Sequence, residues 1–228
     1  MRKVIFWDFD GTLTFSRYLW TESVLKALGP LAEEYHVTEK GLWPFLRSGF
    51  PWDAGGIPGL TGDDWWADRI RCFRTACQSF GVPAGKAEKA AETAREIILS
   101  PGNYRVYPDA AAVLAVSIYK GYQNYLLSNN YPELEEVLEG LYLRQFFTGC
   151  IVSGQVGINK PDKKLFDYAL QTAHFPDVAC MVGDNPIADM QGGKRAGMRT
   201  ILVHSAPGTV CADANHVVDT LTEALRCL

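Results

Sequence analysis

Several features are missing from this sequence of 228 residues, and each absence narrows what it can be. No apolar run approaches about 18 residues, so no membrane-crossing helix is expected. The N-terminus carries basic residues but neither a long apolar stretch nor a small-residue cleavage site, so no signal peptide is expected. No basic run is long enough to track a nucleic-acid backbone, and the net charge of −4 argues against nucleic acid and anionic membrane surfaces alike. There is no Gly-x-Gly-x-x-Gly or Walker loop, so a nucleotide cofactor is not expected. The cysteines (Cys72, Cys77, Cys150, Cys180, Cys211 and Cys227) are scattered with no Cys-x-x-Cys pair. A reducing, cytoplasmic compartment is the natural reading. Internal repeats and low-complexity tracts are also lacking.

What is present is ordinary globular material: 47% hydrophobic and 21% charged residues, enough for one large domain or a domain with a sizeable insertion. From Phe15 to about Pro101 the pattern is helical. "TESVLKALGPLAEEY" reads as a helix capped by Thr21 and broken near Pro30. "GDDWWADRIRCFRTACQSFG" reads as a helix with Asp63 and Asp64 at its cap and Gly81 at its end. "PAGKAEKAAETAREIILSPG" is a third, and "LWPFLRSGFPWDAGGIPGL" reads as an irregular loop. From Tyr107 onward, helical and strand-like segments alternate, which predicts a parallel sheet covered by helices on both faces. The strand "KVIFW" belongs to that sheet, so the helical segment is an insertion after the first strand.

That first strand runs into "DFDGT". Asp8 and Asp10, two residues apart, can both point off its end. Two anions about 7 Å apart repel by roughly 2 kcal/mol at an effective dielectric near 20, and a divalent cation would offset this. The competing reading is a plain Asp-Gly turn. A calcium-binding loop fails on spacing, because counting from Asp8 puts Leu13 and Leu19 where Gly and Glu are required.

Ligands of open α/β sheets bind beyond the carboxyl ends of the strands. There the sequence places Ser128, Asn129 and Asn130 after "YLL", Lys160 after "CIVSGQVGIN", and Asp184 with Asp189 after "CMVG". Taken singly, each has a structural reading: a helix cap at Ser128 and Asn129, a solvated Lys160, a turn at Gly183-Asp184-Asn185-Pro186. Together they supply a carboxylate nucleophile toward phosphorus, an acid/base, a cation site, and a hydroxyl, amide and ammonium for phosphoryl oxygens.

In order and content (DxDGT, then Ser, then Lys-Pro, then GDxxxxD) the sequence resembles the haloacid dehalogenase superfamily. The four motifs span Asp8 to Asp189 and are jointly specific, though none is so alone. The resemblance implies an α/β fold: a Rossmann-like doubly wound parallel core of residues 1–14 and 102–228, with a helical cap domain of residues 15–101, as in phosphoglycolate-phosphatase-like members. It implies a Mg²⁺-dependent phosphatase acting on a small phosphorylated metabolite through an aspartyl-phosphate on Asp8. Asp10 would be the acid/base, with its backbone carbonyl on Mg²⁺ alongside Asp8 and Asp184. Thr12, Ser128, Asn129 and Lys160 would face the substrate, with Lys160 also stabilising the aspartyl-phosphate. Asp189 would orient Lys160 or a water on the metal.

A phosphomutase acting on a sugar phosphate shares every core residue and is the alternative. Metal-free dehalogenases of the superfamily resemble this pattern but lack an acid at the position of Asp10. A phospho-acceptor signalling domain would be shorter and uncapped. Substrate choice is expected to lie in the cap, which carries Trp20, Trp43, Trp52, Trp65 and Trp66. Trp43, Phe45, Arg47 and Trp52 fall in the irregular loop best able to reach the crevice, and Arg47 is the expected specificity residue. A monomer or homodimer is expected.

Overall fold

The computed structural model describes residues 1–15, 19–51, 53 and 57–228. Trp52 lies outside the described residues. β1 (Lys3–Trp7) is short, β-branched and aromatic, as a strand buried on both faces requires. It is central in a parallel sheet of order β3-β2-β1-β4-β5-β6, flanked by β2 (Tyr122–Ser128) and β4 (Val178–Gly183). Outside these run β3 (Gly149–Val152), β5 (Arg199–Leu202) and the short β6 (His216–Val217). Side chains of β1 alternate between two cores: Ile5 and Trp7 join one cluster, Val4 and Phe6 the other. Both faces are therefore covered, as expected of a Rossmann-like doubly wound sheet.

Between β1 and β2 the described chain is helical. It holds α1 (Leu19–Leu28), α2 (Pro30–Glu34), α3 (Glu39–Leu46), α4 (Gly62–Ser79) and α5 (Ala84–Leu99), then α6 (Ala110–Tyr119) on the sheet. The chain leaves the sheet and returns to it side by side. Phe15 N–H donates to Arg105 O at 2.9 Å, and Tyr107 N–H donates to Leu13 O at 3.0 Å. After β2 come α7 (Leu134–Gly140), the single turn α8 (Ser153–Val156) and α9 (Lys163–Thr172). A π-helical turn, Pro186–Gln191, follows β4. No helix of the described residues is long and apolar enough to cross a membrane.

Three local expectations are corrected. Thr21 is not a cap: α1 begins at Leu19, and Thr21 is buried inside it. Asp63 and Asp64 lie in the first turn of α4, where they complement the helix dipole, while Thr61 holds the N-cap position. The stretch read as wholly irregular is helical through Leu46. Thr38 caps α3 by accepting from Gly41 N–H at 3.2 Å, and Leu42 and Leu46, one turn apart, bury together despite Pro44. The burial of that apolar pair outweighs the one backbone bond that proline forfeits. Gly81 ends α4 as expected, at φ +86.

Candidate active site

The chain leaves β1 in a tight turn. Asp8 N–H stays in the sheet, donating to Val182 O at 3.0 Å, and the Phe9 carbonyl accepts from Leu13 N–H at 2.8 Å and Thr14 N–H at 3.0 Å. Gly11 sits at φ +84, and a Cβ there would stand 2.3 Å from the Asp184 carboxylate. Only glycine permits both the backbone conformation and that approach. At the end of β4, a Cβ on Gly183 would meet the Asp189 carboxylate at 2.2 Å. Gly11 thus lets the turns after β1 and β4 close on one another, and Gly183 lets the turn after β4 fold back over its own strand end.

Lys160 ties the floor together. The residue is 3% exposed, and its ammonium donates to Asp8 Oδ1 at 2.8 Å and Asp189 Oδ1 at 2.6 Å. Asp189, fully buried, accepts from Asn185 N–H through its other oxygen at 3.0 Å. Both of its oxygens are therefore occupied, and it orients Lys160. Asn129 clamps the Lys160 backbone: its Oδ1 accepts from Lys160 N–H at 2.7 Å and its Nδ2 donates to Lys160 O at 3.0 Å. Its amide is spent on that clamp, although Asn129 lines the crevice. Thr12, expected among the substrate-facing groups, is fully buried and donates to Asp184 Oδ1 at 3.3 Å. It braces a carboxylate and does not line the crevice.

Four carboxylates here face one ammonium, and the imbalance shows in the acidities of Asp184, Asp10 and Asp189. Burial, then the Asp8 and Asp189 charges, pushes Asp184 from 3.8 to about 8. Burial and then Asp8 raise Asp10 to about 6, against hydrogen bonds from Asn130 and Thr14 that lower it. Asp10 nonetheless presents an exposed side chain to the crevice, so water screens part of that shift. Burial raises Asp189 to about 6 even with Lys160 pulling the other way. For Lys160, burial disfavours the charge, but Asp189 and Asp8 outweigh it and hold the ammonium protonated.

Carboxylate oxygens of Asp8, Asp184 and Asp189 lie within 4.8 Å of one another. They are hard oxygen donors carrying surplus negative charge, which suits Mg²⁺. Asp189 has both oxygens engaged, by Lys160 and Asn185, whereas Asp8 and Asp184 accept from Lys160 and Thr12 through Oδ1. The Asp10 carboxylate is not in this group; it accepts from Thr14 Oγ1 at 3.2 Å and Asn130 Nδ2 at 2.8 Å.

Above this floor opens a cavity of about 680 Å³. Ser128 lines it; its hydroxyl, on a residue 1% exposed, has no hydrogen-bond partner. The opposite wall is built from the inserted helices and the turn before them: Phe15, Leu19, Trp20, Arg47, Phe50 and Asp53. Arg47 is exposed at the end of α3, its guanidinium 4.1 Å from the Trp43 ring centroid. Trp65 and Trp66 are buried, and Trp20 packs on Phe50 with ring centroids 5.0 Å apart.

One contributor escaped the sequence reading, and another was named without its role. His204, after β5, stacks on Tyr107 with centroids 3.8 Å apart and donates from Nε2 to Thr12 O at 2.9 Å; both rings line the cavity. The signal was available, since "RTILVH" also ends in a polar residue at a strand end. Asn130 was visible in "LLSNN", but its reach to Asp10 was not.

A family model for haloacid dehalogenase-like hydrolases matches residues 2–197. The chain is 39% identical over 156 residues to a phosphoserine phosphatase of Thermus thermophilus, a match covering 67% of this chain and 61% of that protein. It is 33% identical over 209 residues to haloacid dehalogenase-like hydrolase domain-containing protein 3 of Mus musculus, covering 88% of this chain and 81% of that one. The solved structure of a 2-haloacid dehalogenase from Pseudomonas syringae pv. Tomato DC3000 shares the fold, with TM-score 0.72 and 24% identity over 99% of this chain and 97% of that one.

Proposed function

The chain belongs to the haloacid dehalogenase-like hydrolases, and from that premise we propose that it is a Mg²⁺-dependent phosphatase of a small phosphate monoester, with the phosphoryl group carried transiently on Asp8. The observation that carries this reading is Ser128: a buried hydroxyl without a partner, lining the same cavity as Asp8 and the Lys160 ammonium. A buried polar group left unpaired costs about 1–3 kcal/mol, and a phosphoryl oxygen would satisfy it.

Asp8 Oδ1 is held by Lys160, which leaves Oδ2 to attack phosphorus. The Asp8–phosphorus bond forms as the ester P–O bond breaks, and Asp10 gives its proton to the departing alcohol. Asp10 then takes a proton from water. The water oxygen attacks phosphorus, phosphate leaves and Asp8 is restored. Lys160 and Ser128 hold the transferring oxygens, with Asn129 contributing through its backbone because its amide is engaged. Asp8 and Asp184, with the Asp10 backbone carbonyl that the family resemblance implies, would hold Mg²⁺, which when bound supplies the positive charge that the floor lacks.

Residues 15–101 act as a cap over a core of residues 1–14 and 102–228, and Arg47 contributes to selection of the phosphorylated metabolite. A reducing, cytoplasmic setting is supported by six unpaired cysteines. The test is phosphate release from an aryl phosphate with Mg²⁺ and with EDTA, followed by a panel of amino-acid, sugar and nucleoside phosphates. Release that EDTA stops is the expected result. Undiminished release in EDTA would remove the metal from the reading. Failure on every monoester, with isomerisation of a sugar phosphate instead, would replace the phosphatase by a phosphomutase.

A further inference from the structure

Asn130 is almost wholly buried, at 1% exposed, and no part of the reaction described so far uses it. Its backbone is gripped on two sides: its N–H donates to Ser153 Oγ at 3.0 Å and its carbonyl accepts from Gly154 N–H at 2.9 Å. Close packing reinforces this, because a Cβ on Gly154 would stand 2.6 Å from the Asn130 carbonyl oxygen. The side chain is equally constrained. Its Oδ1 accepts from Tyr131 N–H at 3.0 Å, which settles the orientation of the amide and turns Nδ2 to Asp10 Oδ2 at 2.8 Å. Asp10 itself hangs from a turn, with one further side-chain partner, Thr14 Oγ1, at 3.2 Å on its other oxygen.

We propose that Asn130 is the positioning residue of the acid/base Asp10, a rigid neutral donor that fixes which way the carboxyl faces and which of its oxygens carries the transferable proton. An amide N–H can donate but not accept. It therefore engages Oδ2 and leaves the proton to Oδ1, whose neighbour is a hydroxyl that can reverse its own direction. A lysine or arginine in this place would lock Asp10 as an anion, whereas a neutral amide orients it and leaves it able to give up a proton. The inference rests on the acid/base reading of Asp10, and the experiment separates the two.

The readout is kcat/KM, which covers the steps up to departure of the alcohol, measured in the Mg²⁺-loaded protein for one alkyl phosphate and one aryl phosphate. Alkoxide departure needs a well-placed acid and phenolate departure needs it far less. Asn130→Ala is expected to lower kcat/KM on the alkyl ester about 10-fold or more beyond any loss on the aryl ester. In an Asp10→Asn background the same substitution should add no further alkyl-specific loss, since a residue acting through Asp10 cannot be felt once Asp10 is gone. Asn130→Ser repeats the test should the alanine variant misfold, because a hydroxyl can still serve Tyr131 N–H yet is too short to span to Asp10.

Equal losses on the two esters would show a merely structural role and overturn the inference, as would an alkyl-specific loss that persists in the Asp10→Asn background. If Asp10→Asn alone leaves the alkyl-to-aryl ratio at the wild-type value, the acid/base reading itself fails. If Asp10→Asn shifts that ratio and the Asn130 variants do not, only the role of Asn130 falls.

Discussion

The floor and the wall of the crevice are built on opposite plans. On the floor, side-chain atoms are committed to one another: Lys160 to Asp8 and Asp189, Asn129 to the Lys160 backbone, Thr12 to Asp184, Asn130 to Asp10. Ser128 is the exception, left open toward the cavity. The wall contributed by the inserted segment is held by packing instead: Leu19 and Phe50 are buried, and the Trp20 ring packs on Phe50, Trp65, Phe73 and Tyr131. Arg47 rests on the face of Trp43, and Asp53 spends one oxygen on Phe50 N–H at 3.0 Å. A committed floor holds reacting atoms in place, where a small displacement is costly. On the proposed reading the polar floor carries the reaction, and the packed wall, with Arg47 exposed on it, carries the choice of substrate.

If the floor is a unit, its loss should be severe and indifferent to substrate. Asp8→Asn removes the nucleophile, so turnover of every monoester should fall to the uncatalysed background, with no phosphate on the intact chain by mass spectrometry. A phosphorylated Asp8→Asn protein would place the nucleophile elsewhere. The fold should survive, because Lys160 keeps Asp189.

Next in size, Asp10→Asn should slow turnover by about 10²–10⁴-fold. With an aryl phosphate the attack step suffers less than the later hydrolysis, so phosphate should accumulate on Asp8 as a mass increase. Wild-type speed in this variant would remove Asp10 from the chemistry.

The charge imbalance of the floor yields a third prediction. Asp184 is raised from 3.8 to about 8, and Asp10 and Asp189 to about 6. The folded, metal-free protein thus binds protons that the unfolded chain gives up above its ordinary carboxyl range. As far as these groups are concerned, its stability should be highest below about pH 4, the ordinary carboxyl value, and should fall as pH rises from there toward about 8. Because Mg²⁺ binds the ionised carboxylates, it should raise the melting temperature more near pH 8 than near about pH 5.5, where protons compete for the same oxygens. A Mg²⁺ effect that grows on acidification would contradict the site as drawn.

The smallest effect belongs to the wall. Arg47→Ala should raise KM about 10-fold, near 1.4 kcal/mol, for substrates bearing a second anionic group, and change it by less than about twofold for a small aryl phosphate that does not reach the cap. Equal losses on both would mean that the wall is coupled to the floor, and the contrast between them would collapse.

How much of this was legible beforehand follows from where the signals lie. "KVIFWDFDGT" shows its meaning locally, since an apolar strand that runs into carboxylates and a glycine can be read from adjacent letters. Ser128 at the end of "YLLS", Lys160 and Asp184 read singly as a cap, a solvated lysine and a turn, and only their joint order along the chain pointed to one crevice. The alternation after Tyr107 likewise declared the parallel sheet through strand-length apolar runs. The extent of α3 was obscured by Pro44, because tertiary burial of Leu42 and Leu46 overrode a local breaker.

The sequence by itself determined the chemistry available: which carboxylates, which ammonium and which hydroxyl stand at the strand ends of one sheet. Only the tertiary structure decided how those groups divide the work. Nothing local tells Asn129 to clamp the Lys160 backbone while its neighbour reaches Asp10 across 120 residues of chain, or Asp189 to take Lys160 while Asp184 takes Thr12. The Lys160–Asp8 bond itself joins residues 152 apart. Strand order and the close approach at Gly11 and Gly183 bring these partners together, and hydrogen bonds short enough to matter exist only once the sheet has closed its turns on one another.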